Sequence, residues 1–205
     1  FFNCVQKGYW QDVNNIKSYL KWLGERLGYM SMDDWYKVRQ DDFKNNYGSG
    51  LLVMYNNSHY KLLSEVFPEH GWKPWLFGQA PNGFWHSQEN RNWYMNWLGK
   101  RLGFQKPEDW YEATVEDFNN NCGNRLFKEY GSYVNAIKAY LPDHNWCEWK
   151  FGNHRDFWDK KENRHRYLKW LGEKLNFTKL DDWYNISGQD FRENYGDGML
   201  QMYYD

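Results

Sequence analysis

Two short stretches bring an acid and a histidine together: Pro68-Glu69-His70 and Pro142-Asp143-His144. An acid beside an imidazole is the start of a metal site or of a general base. One histidine and one carboxylate per stretch is too few for a closed metal site. The expectation is therefore a histidine that caps backbone carbonyls, with no metal and no cofactor. A second cluster is basic. Lys160, Lys161, Arg164, Arg166 and Lys169 fall within ten residues, with His165 among them, and Arg91, Lys100 and Arg101 form a thinner version. Such a stretch on a helix could lie along phosphates. Against that, Glu108, Asp109, Glu112, Glu116 and Asp117 supply acids that could neutralise it. The third group is tryptophan, whose exposed rows bind sugars, stack on unpaired bases or cage methylated amines. No HExxH, Walker loop, dinucleotide glycine fingerprint or nucleophile elbow is present. Neighbouring acids such as Asp33–Asp34 and Asp41–Asp42 do not face each other across a cleft. No catalytic residue is assigned, and the chain is expected not to be an enzyme.

Composition narrows the classes further. In 205 residues, 26 Lys and Arg stand against 27 Asp and Glu, for a net charge of −1. That argues against a strongly basic nucleic-acid binder and leaves only a local patch. Mean hydropathy is −1.04, yet 21% of the residues are aromatic and 14 are Trp. A buried aromatic removes roughly 150–250 Å² from water, so a large core is within reach. No stretch approaches the ~20 apolar residues of a membrane span. Cys4, Cys122 and Cys147 fall at unmatched places and read as free thiols, which favours a reducing, intracellular compartment. The glycosylation-type triplets at Asn56, Asn176 and Asn185 read as chance in an Asn-rich chain.

These residues sit in a phrase written three times. Trp10, Trp85 and Trp158 match at spacings of 75 and 73, and Trp22, Trp97 and Trp170 repeat those spacings. So do Trp35, Trp110 and Trp183, then Phe43, Phe118 and Phe191, then Gly48, Gly123 and Gly196. Constant offsets across so many landmarks mark an internal repeat. It divides the chain into 1–9 as the tail of an upstream period (Phe2 matching Phe77), 10–84, 85–157, and 158–205 as a partial third, where Tyr203 matches Tyr130 and Tyr55.

Each period reads as about three helices. The first is expected to start on Asn15, Asn90 or Asn163 as N-cap. It carries Tyr19, Leu20, Leu23 and Leu27 at helical spacing and stops at Gly28, Gly103 or Asn176 in the left-handed C′ position. Gly24, Gly99 and Gly172 lie inside it, at a cost of about 1 kcal/mol each against Ala, which implies a close approach by the indole of the following "DWY" turn. Arg26, Arg101 and Lys174 follow Trp22, Trp97 and Trp170 by four residues and are expected over those indoles. The second helix has capping boxes at Thr114–Asp117 and Ser187–Asp190, with Arg39 a weaker cap, an inward Phe, and Gly48, Gly123 or Gly196 at its end. The third begins after Ser58 or Ser132 and ends before Pro68 or Pro142. Trp72 with Trp75, and Trp146 with Trp149, then join one period to the next. The Trp at 22, 35, 97, 110, 170 and 183 are expected in the core. Trp93, whose counterparts are Ser18 and Arg166, is the aromatic candidate for an exposed contact.

The set "WLGxxLG", "D/E-D-W-Y", "D-F-x-x-N-x-G" and "P-E/D-H-x-W" resembles a tryptophan-rich helical repeat of uncharacterised eukaryotic and large-DNA-virus proteins. The likeness covers essentially the whole chain and implies the fold, with no established activity. A fainter likeness, over Gly50 to Trp72, is to helical repeats that accompany homing endonucleases and are thought to grip DNA; the nuclease residues of such proteins are absent here.

The sequence thus predicts an all-α tandem array of ~75-residue three-helix modules joined by Trp-rich loops, with almost no strand, elongated through nearest-neighbour stacking. The expected role is a non-catalytic interaction or scaffold segment whose partners are proteins of a larger assembly. The alternative is nucleic-acid binding through the basic first helices with aromatic stacking. For either, the candidate contacts are Lys160, Lys161, Arg164, Arg166, Lys169, Arg91, Trp93, Lys100 and Arg101.

Overall fold

In the computed structural model, residues 6–78, 80–152 and 155–204 are described, at 155, 156, 203 and 204 for the backbone alone. Phe2, Cys4 and the side chain of Tyr203 therefore lie outside what is described. The chain is all-α, and among the described residues every regular element is an α-helix or a 3₁₀ turn. Helices α1 (Val13–Leu27), α2 (Gln40–Asn45), α3 (Ser49–Met54) and α4 (His59–Val66) come first. Next are α5 (Gln88–Leu102), α6 (Val115–Asn120), α7 (Leu126–Tyr130) and α8 (Tyr133–Tyr140), then α9 (Arg155–Asp159), α10 (Lys161–Lys174), α11 (Gly188–Glu193) and α12 (Asp197–Tyr204). The short α3, α7 and α12 are additions to the three helices expected per period. The chain divides into two compact units, Phe1–Tyr94 with Phe118–Glu129 and Met95–Asp117 with Tyr130–Asp205.

The long helix begins earlier than its asparagine. In α1 the N-cap is Asp12, whose side chain accepts from the Asn14 N–H. Asn15 instead lies in the first turn and donates its Nδ2 back to the Tyr9 carbonyl at 2.9 Å. Asn90 does the same to Phe84 at 3.0 Å and Asn163 to Phe157 at 2.9 Å. The asparagine is a tie that holds the preceding aromatic pair onto the helix. That pair puts Trp10, Trp85 and Trp158 edge-on to Tyr19, Tyr94 and Tyr167, with centroids 5.2, 5.2 and 5.0 Å apart. The other end follows expectation, with Gly28, Gly103 and Asn176 at φ of 74°, 80° and 59°. The next residue's N–H closes onto the Gly24, Gly99 or Gly172 carbonyl, a Schellman-type end.

Two glycine positions are set by aromatic neighbours. A Cβ at Gly24, Gly99 or Gly172 would stand 3.1, 2.9 or 2.9 Å from the Cζ2 of Trp35, Trp110 or Trp183, as the sequence led us to expect. Gly48, Gly123 and Gly196 have a different cause from the one expected. The left-handed residue is the one before each of them: Tyr47, Cys122 or Tyr195, at φ of 63–64°. The glycine is needed because a Cβ there would overlap the phenol oxygen of Tyr19, Tyr94 or Tyr167, at 2.1 Å in each case. Tyr19 and Tyr94 donate that hydroxyl to the carbonyls of Asn46 and Asn121 at 3.0 and 3.1 Å. Among the described residues, Asn46, Asn121 and Asn194 are the buried polar or charged ones. Burial pushes the three tyrosine hydroxyls well above the ordinary phenol range.

The second-helix caps hold as read. Thr114 and Ser187 exchange bonds with Asp117 and Asp190, whereas at Arg39 only Asp42 reaches back, to the Arg39 N–H at 2.7 Å. The "DWY" turns carry a further cap. Asp34, Asp109 and Asp182 each accept two backbone N–H groups from the preceding loop. Those bonds hold their carboxyls below the usual range, with Lys37 the main cause at Asp34.

Candidate interaction surface

The tryptophans divide by period rather than forming one exposed row. Trp72 turns back into its own period against Tyr36 and Phe77, at 5.3 and 5.5 Å, and Trp146 does so against Tyr111 and Phe151, both at 5.2 Å. Trp75 reaches forward to Trp93 and Tyr94 of the next long helix, at 4.9 and 5.4 Å. Trp149 likewise reaches Tyr167 and Trp170, at 5.7 and 5.3 Å. All of these loop tryptophans are buried, as are Trp10, Trp35, Trp85, Trp110 and Trp158. The expected core assignment therefore holds for Trp35 and Trp110 and is corrected for the others. Trp22, Trp97, Trp170 and Trp183 are half-buried. The first three carry Arg26, Arg101 and Lys174 over their rings at 5.7, 5.6 and 5.2 Å, as expected for cation–π pairs.

The candidate contacts separate into engaged and open groups. Arg91 is half-buried and donates Nη1 to the Trp85 carbonyl at 2.6 Å and Nη2 to Gln88 at 2.7 Å. Arg164, its counterpart, donates to the carbonyls of Trp158 and Asp159. Neither is the free surface charge the sequence suggested; each clamps the chain that enters its helix. Arg101 lies over Trp97. Arg166 stands 3.5 Å from Glu148, which also takes Lys138 at 2.8 Å. Burial alone would raise the Glu148 carboxyl, but the Lys138 bond and the charges of Lys138 and Arg166 hold it below the usual range. Trp93 is 41% exposed, with one edge against Trp75. Lys100, Lys160, Lys161 and Lys169 are exposed. On α10, Lys161, His165 and Lys169 recur every four residues and form one outward stripe. The matching positions of α5 are Gln88, Asn92 and Asn96, which are uncharged. The Gln88 amide donates to Asn92 at 2.8 Å, and Asn96 accepts from the Tyr140 hydroxyl at 2.9 Å.

The acid–histidine stretches are structural, though not by the expected means. The His70 and His144 rings meet Trp72 and Trp146 at steep angles, with centroids 4.2 and 4.3 Å apart. Their Nε2 atoms face Asp33 and Glu108 of the "DWY" turn at 3.2 and 4.0 Å, rather than backbone carbonyls. Among the described residues no cluster of three or more His, Cys, Asp or Glu could hold a metal ion. Neither of the described cysteines, Cys122 and Cys147, is in a disulfide. No described helix is long and apolar enough to cross a membrane. No family model, no curated protein and no solved structure matches the chain.

What sequence reasoning missed was the buried asparagine at 46, 121 and 194. Its signal was present, since "D-F-x-x-N-x-G" holds it constant. Its side chain bonds back to the carbonyl four residues earlier at Asn46 and Asn194, and Arg26 donates Nε to Asn46 at 2.6 Å.

Proposed function

We propose that the chain is a non-catalytic interaction module: a tandem run of like periods, joined through Trp75 and Trp149, that serves as a scaffold segment of a larger assembly. The observation that carries this reading is the fate of the arginines. Arg91, Arg101, Arg164 and Arg166 are all engaged by their own chain, so the charge that would grip phosphates is largely spent on structure. The shared motif set agrees with membership of the tryptophan-rich repeat family, and repeated similar surfaces suit multivalent contact. One observation favours the second reading, nucleic-acid binding: the exposed stripe of Lys161, His165 and Lys169 on α10, with Lys160 beside it. The test is titration of fluorescent single-stranded and duplex oligonucleotides with the whole chain at two salt concentrations, beside proximity labelling of the chain in its own cells. The expected result is no oligonucleotide binding at low salt and a discrete set of labelled proteins. Affinity that falls steeply as salt rises would overturn the scaffold reading in favour of phosphate contacts.

A further inference from the structure

Each of the first two periods carries a cleft on the same side of its long helix, and one aromatic ring distinguishes them. In the second period the cleft lies between α5, the "DWY" turn and the end of α8, with Gly99, Trp110 and Leu141 in its walls, and measures about 240 Å³. Tyr140 reaches across it. Its ring meets the Trp110 indole edge-on at 5.5 Å, and its hydroxyl donates to the Asn96 Oδ1 at 2.9 Å. Tyr140 is the last residue of α8, whose cap is Ser132. The last residue of α4, counted the same way from its Ser58 cap, is Val66.

The first period therefore has no phenol at this place, and its cleft is wider, at about 510 Å³. The floor is apolar: Leu20 and the Trp35 indole are buried, and Gly24, against that indole, adds no side chain. Met30 and Met32 also line it, thioethers that adapt to irregular shapes. Along α1 the rim opens with Lys17 and Lys21, one turn apart and exposed, in the places of Asn92 and Asn96. Lys17 Nζ stands 6.0 Å from the centre of the Phe67 ring. Glu25 lies one turn further on. The openness belongs to the period's own build. Among the described residues the second-period cleft draws only on residues 96–110, 140 and 141, although the chain runs on at both sides of it.

We propose that the first-period cleft binds a small aromatic carboxylate, whose ring takes the place that the Tyr140 ring holds in the second. The chain itself shows what fits there. A ring in that place lies edge-on to the indole, and a polar group on its far end reaches position 96. In the second period that position is an amide whose oxygen accepts from the phenol. In the first it is Lys21, an ammonium that can only donate, so the group meeting it has to accept. A carboxylate does so with charge assistance and also answers Lys17. Glu25 repels it from the other end and so fixes the direction in which the ligand lies along α1. The body is aromatic because Tyr29 already stands edge-on to Trp35 at 5.3 Å and Phe67 flanks the opening. A cleft of this size is within the range of small-ligand sites. The inference is independent of the scaffold reading, since it needs no partner protein.

The test is nitrogen-edited NMR of the labelled whole chain, titrated with 2-naphthoate and, separately, with 2-naphthol, which has the same rings and no charge at neutral pH. Saturable shifts at the Trp35 indole N–H and the Gly24 amide are expected, with a Kd for 2-naphthoate of about 1 mM or tighter. The naphthol should bind at least about fivefold more weakly. Lys17→Gln together with Lys21→Asn should weaken 2-naphthoate by about the same factor and leave the melting temperature unchanged, since both side chains are exposed. Val66→Tyr should rebuild the second period's ring in the first and abolish binding; if that variant does not fold, the lysine pair and the naphthol decide the matter. No saturation up to about 10 mM would overturn the proposal. So would equal affinity for acid and naphthol, binding indifferent to the lysine pair, binding that survives in a folded Val66→Tyr variant, or shifts that centre on Trp110 instead of Trp35.

Discussion

Trp110 and Trp183 hold the same place in successive periods, against Gly99 and Gly172, each with a Phe edge-on to its indole at 5.1 Å. Their inner surroundings are alike. Their outer surroundings differ: Tyr140 closes on Trp110 at 5.5 Å and the indole is buried, while Trp183 is half-buried. The comparison separates two layers of one design. The inner layer of Tyr, Gly, Asn and Trp is set within the long helix and the turn after it. The outer layer over Trp110 is supplied by α8, whose Tyr140 closes on the indole.

Truncating the two indoles is the most forceful way to break that comparison. Trp110→Ala should cost roughly 3–5 kcal/mol by opening a cavity beneath α8. Trp183→Ala should cost about 1–2 kcal/mol, because less apolar area is withdrawn from water there. Equal losses in thermal or denaturant melts would mean that the cover of Tyr140 over Trp110 adds nothing. Next in size is Gly123→Ala. The new methyl meets the Tyr94 hydroxyl, so overpacking of about 1–3 kcal/mol is expected. Tyr94→Phe removes the oxygen it strikes. The double variant should therefore lose less than the sum of the singles, a coupling that a cycle of melts reads directly. Strict additivity would show that the glycine is there for another reason.

How much of this was legible in the sequence depended on whether a rule acts along the chain or across it. The stop at Gly28, Gly103 and Asn176, the Thr114 and Ser187 caps, and the indole against Gly24, Gly99 and Gly172 follow from local geometry or from a costly glycine that demands a neighbour. Gly48, Gly123 and Gly196 were visible as constants, but the phenol that excludes a Cβ lies 29 residues earlier in each period. Spacing cannot show which atom comes close. The asparagines at 15, 90 and 163 misled for the opposite reason. Asn is a good N-cap by type, and here its amide serves as a donor to a carbonyl six residues back. For the candidate surface, sequence gave the residue types correctly and their freedom wrongly, because an arginine that clamps a backbone carbonyl and one that faces solvent look the same in a list of charges.

Titration sharpens the comparison by a smaller step. Burial is the main cause that pushes the Tyr111 hydroxyl up to about 12. A phenol raised in the fold contributes stability that is whole below the unfolded value near ~10 and is lost as pH climbs from there through the folded value. Tyr111→Phe should therefore melt lower than the native chain at neutral pH, where the bond from the Cys147 N–H is lost. The gap should close between about pH 10 and 12. A gap that stays constant to the alkaline end would remove the bond from the Cys147 N–H to the Tyr111 hydroxyl from the account.

The smallest effects test the two arginines. Arg164 donates to two backbone carbonyls from a half-buried place, so Arg164→Ala should cost about 1–2 kcal/mol, in the range of hydrogen bonds from charged donors. Arg166 is half exposed and shares Glu148 with a closer Lys138, so Arg166→Ala should stay within about 0.5 kcal/mol. The lowered Glu148 carboxyl fixes the pH sign: that ion pair stabilises above the unfolded carboxylate value near ~4.3 and fades as pH falls through the folded one. Any cost of Arg166→Ala should accordingly vanish in acid and shrink in salt, while the cost of Arg164→Ala, whose acceptors are carbonyls that do not titrate, should persist in both. If the two variants responded alike to salt and acid, Arg164 would be an ordinary surface charge after all. The basic cluster would then regain the freedom that phosphate binding requires.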